Sequence, residues 1–186
     1  MKPMTLKTNR LILRPPVPAD AGAIEGFVSD RRVAEMTALI PHPYPAGGAL
    51  EWIEACCQAQ RDGKKSTWVI CLRSTGELVG AISIVDDARD VMLGYWIGVP
   101  HWGNGYATEA LHRVIRHGFN QLRLRYFSSY HFAHNPASGR VMQKAGLLYQ
   151  GVQVLSCKRG DQVYDRVCYG ITAAEWRANL TAFSRP

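Results

Sequence analysis

Leu11, Ile12 and Leu13 form a short apolar run between Arg10 and Arg14. The Pro15-Pro16 pair behind it lacks two ladder donors, so the pattern predicts a first strand ending there. From about Ala19 the spacing of Ile24, Phe27 and Val28 predicts a helix with one apolar face. Pro41 to Gly48 holds three prolines and two glycines, which excludes helix and ladder alike and makes the segment a loop. Leu50, Ile53, Glu54, Cys57 and Gln60 then follow a helical repeat that stops near Gly63. Three strands are predicted next, Ser66 to Leu72, Leu78 to Val85 and Val91 to Val99, turning at Ser74-Thr75-Gly76 and at the acidic Asp86-Asp87-Ala88-Arg89-Asp90.

At Gly105 the period changes. Ala107, Ala110, Leu111, Val114, Ile115 and Gly118 recur in steps of three and one, the stripe of a helix lying on a sheet. Leu124, Tyr126, Ser128, Tyr130 and Phe132 alternate as a strand, on which Arg123 and Arg125 would extend a basic surface. Asn135 before Pro136 has the form of a helix start, and Gly146 that of a helix end. Tyr149 to Cys157 and Val163 to Ile171 read as two late strands joined at Lys158-Arg159-Gly160-Asp161. Thr172 and Glu175 form a capping box for a last helix through Trp176 and Leu180. With no internal repeat or linker, the whole of 1–186 is expected to be one α+β domain around a central, mostly antiparallel mixed sheet of about seven strands flanked by helices.

Composition narrows the class. Of 186 residues 47% are hydrophobic and 20% charged, which excludes a disordered or low-complexity chain. The net charge of +7 predicts a surface that attracts polyanions: nucleic acid, a membrane face or a phosphorylated small molecule. Cys56, Cys57, Cys71, Cys157 and Cys168 show no C-x-x-C spacing and read as reduced thiols, with the Cys56-Cys57 pair packed in a helix. The first residues carry no continuous apolar segment like that of a signal peptide, and no run has a membrane span's length, so the expected place is the cytoplasm with no membrane partner. His42, His101, His112, His117, His131 and His134 show no ligand spacing, so no metal is expected. His112, Arg113 and Arg116 fall off the apolar stripe of their helix, on its solvent face.

The most informative stretch joins a strand to a helix, from Gly94-Tyr95-Trp96-Ile97 through Trp102-Gly103-Asn104-Gly105-Tyr106-Ala107 to Thr108-Glu109-Ala110-Leu111. Glycine allows close approach to the main chain, and the first helical turn has unpaired N–H groups, so the turn is a candidate anion cradle. A Gly-Lys-Ser/Thr is absent, and Thr108 stands where a dinucleotide fingerprint has its third glycine, so neither ATP nor NAD fits.

These segments, with Asn135-Pro136-Ala137-Ser138 and Lys144-Ala145-Gly146, resemble the GNAT superfamily of acyl-CoA-dependent N-acetyltransferases. Within it the chain looks like the RimJ and RimL group, which acetylates N-termini of ribosomal proteins; Thr8-Asn9-Arg10-Leu11-Ile12-Leu13-Arg14-Pro15 resembles that group's first strand. The resemblance implies acetyl-CoA as acyl donor, lying where a bulged fourth strand splays from the fifth. It implies that the backbone of Trp96, Ile97, Gly98 and Val99 meets the pantetheine arm and points an N–H at the thioester oxygen. Trp102, Gly103, Asn104, Gly105, Tyr106, Ala107 and Thr108 would hold the pyrophosphate, with Trp102 standing where many relatives have Gln or Arg. Asn135 would hydrogen-bond the pantetheine, and Ser138 would be the catalytic residue beside the departing sulfur, donating or relaying a proton. Arg140 and Lys144, four apart on one helix face, are candidates for the 3′-phosphate. Asn135 reads equally as a helix cap, Ser138 as a first-turn residue, and Arg140 and Lys144 as a solvated face.

Met92 departs from the pattern, since many relatives carry a glutamate there as base and methionine cannot serve. His134, Tyr130 and Asp165 are substitutes, each with a plain packing alternative, and the base stays unassigned. Tyr44 and Trp52 either border the acceptor pocket or simply pack. The function expected is acetyl transfer to a primary amine, foremost a protein N-terminus, by direct attack in a ternary complex. The alternatives are a polyamine or antibiotic acetyltransferase and a non-catalytic CoA-binding regulator. Nucleic acid is not the expected partner, because it leaves the glycine turn unexplained; the expected assembly is a monomer or homodimer.

Overall fold

A computed structural model describes residues 4–86 and 91–183, the last four as backbone alone; the acidic positions 87–90 of the predicted turn lie outside it. Strands β1 (Leu6–Lys7), β2 (Leu11–Arg14), β3 (Lys65–Leu72), β4 (Leu78–Asp86), β5 (Val91–Ile97), β6 (Tyr126–Phe132), β7 (Leu148–Arg159) and β8 (Gln162–Thr172) form one sheet, in the order β1-β2-β3-β4-β5-β6-β8-β7. Only β5 and β6 run parallel; the other neighbouring pairs are antiparallel. The helices are α1 (Ala21–Val28), α2 (Arg31–Glu35), α3 (Gly48–Arg61), α4 (Tyr106–Asn120), α5 (Pro136–Lys144) and α6 (Ala173–Phe183).

Strand alternation sorts the core onto two faces. Leu11, Leu13, Trp68 and Ile70 point to one side, where they meet Leu111, Val114 and Ile115 of α4 and Met142 of α5. Val69 and Cys71 point to the other, against Ile24 and Val28 of α1 and Ala49 and Ile53 of α3. Central strands covered on both sides lose the polar half of their alternation, so β3 is buried from Thr67 to Cys71. Asp20 is buried before α1, where it accepts from both terminal nitrogens of Arg14 at 2.7 and 2.6 Å and from the Val17 N–H at 2.8 Å.

The sheet has eight strands where periodicity shows about seven. The extra one, β1, is two residues long and exists through its register with β2, Leu6 opposite Leu13, which no local pattern encodes. Helix α2 also escapes periodicity; five residues show no stripe, and Asp30 starts it by accepting the Arg32 N–H at 2.9 Å. Helix α1 begins at Ala21 after a 3₁₀ turn over Pro18–Asp20. The strand expected from Leu124 begins at Tyr126, since Arg123 takes φ 58° and the Leu124 N–H returns to Gly118. Arg123 and Arg125 therefore precede the strand. Arg113 is half-buried and donates to the Lys7 carbonyl at 3.1 Å, which takes it off the free solvent face. The Thr172–Glu175 box forms in both directions, at 3.2 and 2.8 Å.

Candidate active site

Beyond β5 the chain makes a 3₁₀ turn over Val99–His101, passes Trp102 to Gly105 and enters α4. Gly103 and Gly105 sit at φ 78° and 76°, left-handed angles that side chains resist and glycine adopts without strain. Among the described residues the N–H groups of Gly103, Asn104, Gly105, Tyr106, Ala107 and Thr108 meet no protein acceptor; the first helical bond is Glu109 N–H to Gly105 O at 3.1 Å. The Asn104 side chain locks the turn by donating to the carbonyls of His101 and Trp102 at 3.1 and 3.2 Å. Six free amides at the positive end of a 15-residue helix form a polyanion cradle built of main chain.

A cation reaches this cradle from the far end of the sequence. Glu109 accepts from the Thr8 hydroxyl at 2.6 Å and the Arg10 N–H at 3.0 Å, and its second oxygen takes Arg10 Nε at 2.6 Å. The Arg10 guanidinium also donates to Asn104 O at 3.0 Å and lies 5.0 Å from the centre of the Tyr106 ring. Burial of Glu109 works against its charge, but the bonds from Thr8 and Arg10 outweigh it and hold its carboxyl below the usual value. A carboxylate lowered on folding contributes stability above its unfolded pKa and loses it as pH falls through the folded value, so the anchor weakens only in acid. Arg10 and Glu109 are ninety-nine positions apart, and only the tertiary fold reveals the pair. Arg140 and Lys144 are exposed on α5 and make no hydrogen bond or ion pair among the described residues.

The ladder between β4 and β5 decides which main-chain groups of β5 are free. Gly98 N–H donates to Val79 O at 2.9 Å, and the register runs through Gly80↔Ile97, Ala81↔Trp96 and Ile82↔Tyr95. That bond fixes the parity: Gly98, Trp96 and Gly94 turn their main-chain groups to β4, while Ile97, Tyr95 and Leu93 turn theirs to β6. Two side chains agree, since Ser129 Oγ donates to Leu93 O at 2.9 Å and Trp102 Nε1 to Ile97 O at 2.7 Å. Among the described residues β6 pairs with β5 only at Met92↔Ser128, so past that point the strands part, leaving the N–H groups of Tyr95 and Ile97 facing an opening. The β4–β5 register is unbroken from Gly80↔Ile97 to Asp86↔Val91, so the opening comes from divergence of β6 rather than from the bulge expected in β5. Of the four residues Trp96, Ile97, Gly98 and Val99, parity gives only Ile97 an N–H toward the opening; Val99 starts the 3₁₀ turn.

Across that opening stands the start of α5. Asn135 caps it, accepting the Ser138 N–H at 3.2 Å while its Nδ2 donates to Met36 O at 3.4 Å; its second amide hydrogen has no partner among the described residues. The Ser138 Oγ lies 2.8 Å from the Tyr95 hydroxyl, which also donates to Ser138 O at 3.1 Å. Burial pushes the Tyr95 phenol far above its ordinary range, only partly offset by Ser138, so it stays a neutral donor. The sequence shows Tyr95 as part of a motif and gives no sign of this contact, which joins a strand to a helix forty-three positions away.

Of the three substitutes for a base, Tyr130 lies beneath Arg166, whose Cζ is 4.4 Å from its ring centre, and the other two have partners elsewhere. Asp165 accepts the Leu155 N–H at 2.7 Å, and His134 stacks on Phe132 at 5.3 Å with Nε2 3.3 Å from Glu35 O. Tyr44 and Trp52 pack against the α1 and α3 core cluster.

An amide cradle, a parted pair of parallel strands and a hydroxyl pair at a helix start are suited to acyl transfer, and sequence comparison places the chain among acetyltransferases. The family model described as Acetyltransferase (GNAT) domain matches residues 10–148. The Bacillus subtilis (strain 168) uncharacterized N-acetyltransferase YoaA is 31% identical over 169 residues, covering 89% of this chain and 95% of its own. The chain belongs to the GNAT family of acetyl-CoA-dependent N-acetyltransferases. Similar folds include RimL, a ribosomal L7/L12 alpha-N-protein acetyltransferase in complex with coenzyme A, with TM-score 0.81 at 15% identity over 91% of this chain and 98% of that one. Another is spermidine N-acetyltransferase from Vibrio cholerae in complex with CoA and spermine, with TM-score 0.77 at 18% identity over 91% and 99%.

Proposed function

We propose that this chain, acting as one domain over 1–186, moves an acetyl group from acetyl-CoA to a primary amine, and that the amine is a protein N-terminus. The observation that carries the reading is the run of six free amides from Gly103 to Thr108 leading to Ile97 N–H and the Tyr95–Ser138 pair. When bound, acetyl-CoA supplies an acyl group activated as a thioester. The cradle and Arg10 hold its phosphates, and Asn135 has one amide hydrogen for the pantetheine arm. Ile97 N–H is oriented to stabilise charge developing on the acyl oxygen; a preorganised donor of this kind contributes about 2.7–4 kcal/mol. Ser138, held by Tyr95, relays to the departing sulfur the proton that the attacking amine loses, so the products are a neutral amide and a free thiol.

The acceptor enters neutral. Methionine at position 92 removes no proton, and an α-amine with a pKa near ~8 is already about one-tenth neutral at pH 7, so direct attack needs no strong base. Polyamines and aminoglycosides are cations with higher pKa values and call for acidic surroundings. Thiol release from acetyl-CoA, measured over peptides with free N-termini, polyamines and aminoglycosides, tests the reading. Peptides are expected to be turned over at least ten times more efficiently. A preference for a polyamine or aminoglycoside overturns the N-terminal acceptor, and acetyl-CoA binding without turnover of any amine leaves a silent binding protein.

A further inference from the structure

A cavity of about 330 Å³ lies at the point where β5 and β6 part, and the acetyl-transfer reading assigns it no role. It is lined by Met92 and Ser128, the β5–β6 pair at that vertex, and by Tyr130, Gln150, Gln153 and Arg166. Strand alternation sets Met92 on the face opposite Leu93 and Tyr95, and Ser128 and Tyr130 on the face opposite Phe127 and Ser129. The cavity therefore opens on the side of the sheet away from the Tyr95–Ser138 pair, where an acceptor can approach an acyl group held between the strands. Its size falls in the range of small-ligand pockets.

Arg166 is the charged residue among those described in the lining. On β8 it sits opposite Phe132 of β6 and Gln153 of β7, which brings its guanidinium diagonally over Tyr130, with Cζ 4.4 Å from the ring centre. Contact with the ring restricts where the fork can lie. Arg166 is half-buried, and its Nε is buried with no hydrogen-bond partner among the described residues. A buried donor without an acceptor is costly and rare, and a guanidinium oriented in a polar cavity matches the planar pair of oxygens of a carboxylate. Met92 contributes no charge that would compete for it. The two glutamines add neutral donors and acceptors.

We propose that Arg166 makes this cavity a pocket for acceptors whose reacting amine lies within a few bonds of a carboxylate. The inference rests on the acetyl-transfer reading and adds the substrate's charge to it. For an N-terminal acceptor the carboxylate is the side chain of an acidic first or second residue; for a free amino acid it is the α-carboxylate or an acidic side chain.

Matched acceptors that differ only in that charge test it: peptides beginning Asp against Asn and Glu against Gln, and free amino acids against their amides. In each pair that reacts, the carboxylate member is expected to show at least tenfold higher kcat/KM, mainly through KM. Arg166→Gln is expected to reduce that ratio to within about twofold, and Arg166→Lys to retain part of it, while calorimetry shows acetyl-CoA affinity unchanged in both. The peptide and amino-acid arms separate the two sources of the carboxylate. Equal or better use of the amide member, a ratio that survives Arg166→Gln, or no turnover of any carboxylate-bearing acceptor overturns the inference. Acetyl-CoA binding together with turnover of neutral or cationic amines alone overturns it while leaving acetyl transfer standing. Failure to bind acetyl-CoA removes the reading beneath it.

Discussion

Gly105→Asp is expected to weaken acetyl-CoA binding at least ~100-fold, a loss of about 2.7 kcal/mol. Gly105 caps α4 at φ 76°, and its N–H is one of six without a protein acceptor among the described residues. A carboxylate there brings negative charge to the spot that must accept a pyrophosphate. It also lies within reach of Arg10, whose Nη2 is 3.5 Å from the position of a new Cβ, so the aspartate would draw that cation away from the cradle. The backbone angle adds a second cost, since a non-glycine residue in the left-handed region is strained by roughly 1–2 kcal/mol. Gly105→Asn separates the two: asparagine tolerates that region and has nearly the same shape without the charge. Its affinity is expected to stay within about tenfold of the parent. Titration calorimetry on folded protein reads both variants. Unchanged affinity in Gly105→Asp would place the phosphates elsewhere, and equal losses in both would make strain rather than charge the cause.

Ser138→Ala should act on turnover instead, lowering kcat about 100-fold, at the lower end of what a positioned proton donor contributes. The substitution leaves the helix start intact, because Asn135 caps α5 through the Ser138 main-chain N–H, and the Tyr95 hydroxyl keeps its bond to the carbonyl of residue 138. Acetyl-CoA affinity should therefore move less than about twofold. Tyr95→Phe retains the Ser138 hydroxyl but frees it to rotate, so a smaller loss, about tenfold, is expected. Full activity in Ser138→Ala would remove its proton-transfer role, and a loss confined to KM would make it a binding residue.

The distance over which a contact acts decides what the sequence reveals of it. The α4 stripe, the glycine turn, the cap at Asn135 and the box at Thr172–Glu175 are encoded within a few residues, and each is present. Short elements fail for want of length: β1 has two residues and α2 five, and neither completes a period. Main-chain direction is subtler. Trp96, Ile97, Gly98 and Val99 are neighbours in the chain, yet the single bond from Gly98 to Val79 turns Trp96 and Gly98 to β4 and Ile97 to the opening. A strand pattern gives side-chain faces but not which edge a peptide group addresses, because that depends on the partner's register. The remaining site features, Arg10 with Glu109, Tyr95 with Ser138 and Arg166 over Tyr130, join residues remote in sequence. The acidic segment 87–90 lies outside the described residues.

The net charge of +7 gains a partial assignment from the same contacts. Arg10 stands at the cradle and Arg166 in the vertex cavity, so two of the cations meet places suited to anionic groups.

Backbone amide NMR of the protein titrated with acetyl-CoA tests the central claim most directly. The account predicts that the largest shifts fall on the amides of Gly103 to Thr108 and on Tyr95 and Ile97, with Trp96 and Gly98, bonded to β4, moving less. Shifts centred elsewhere, with the 103–108 amides unmoved at saturation, would contradict it.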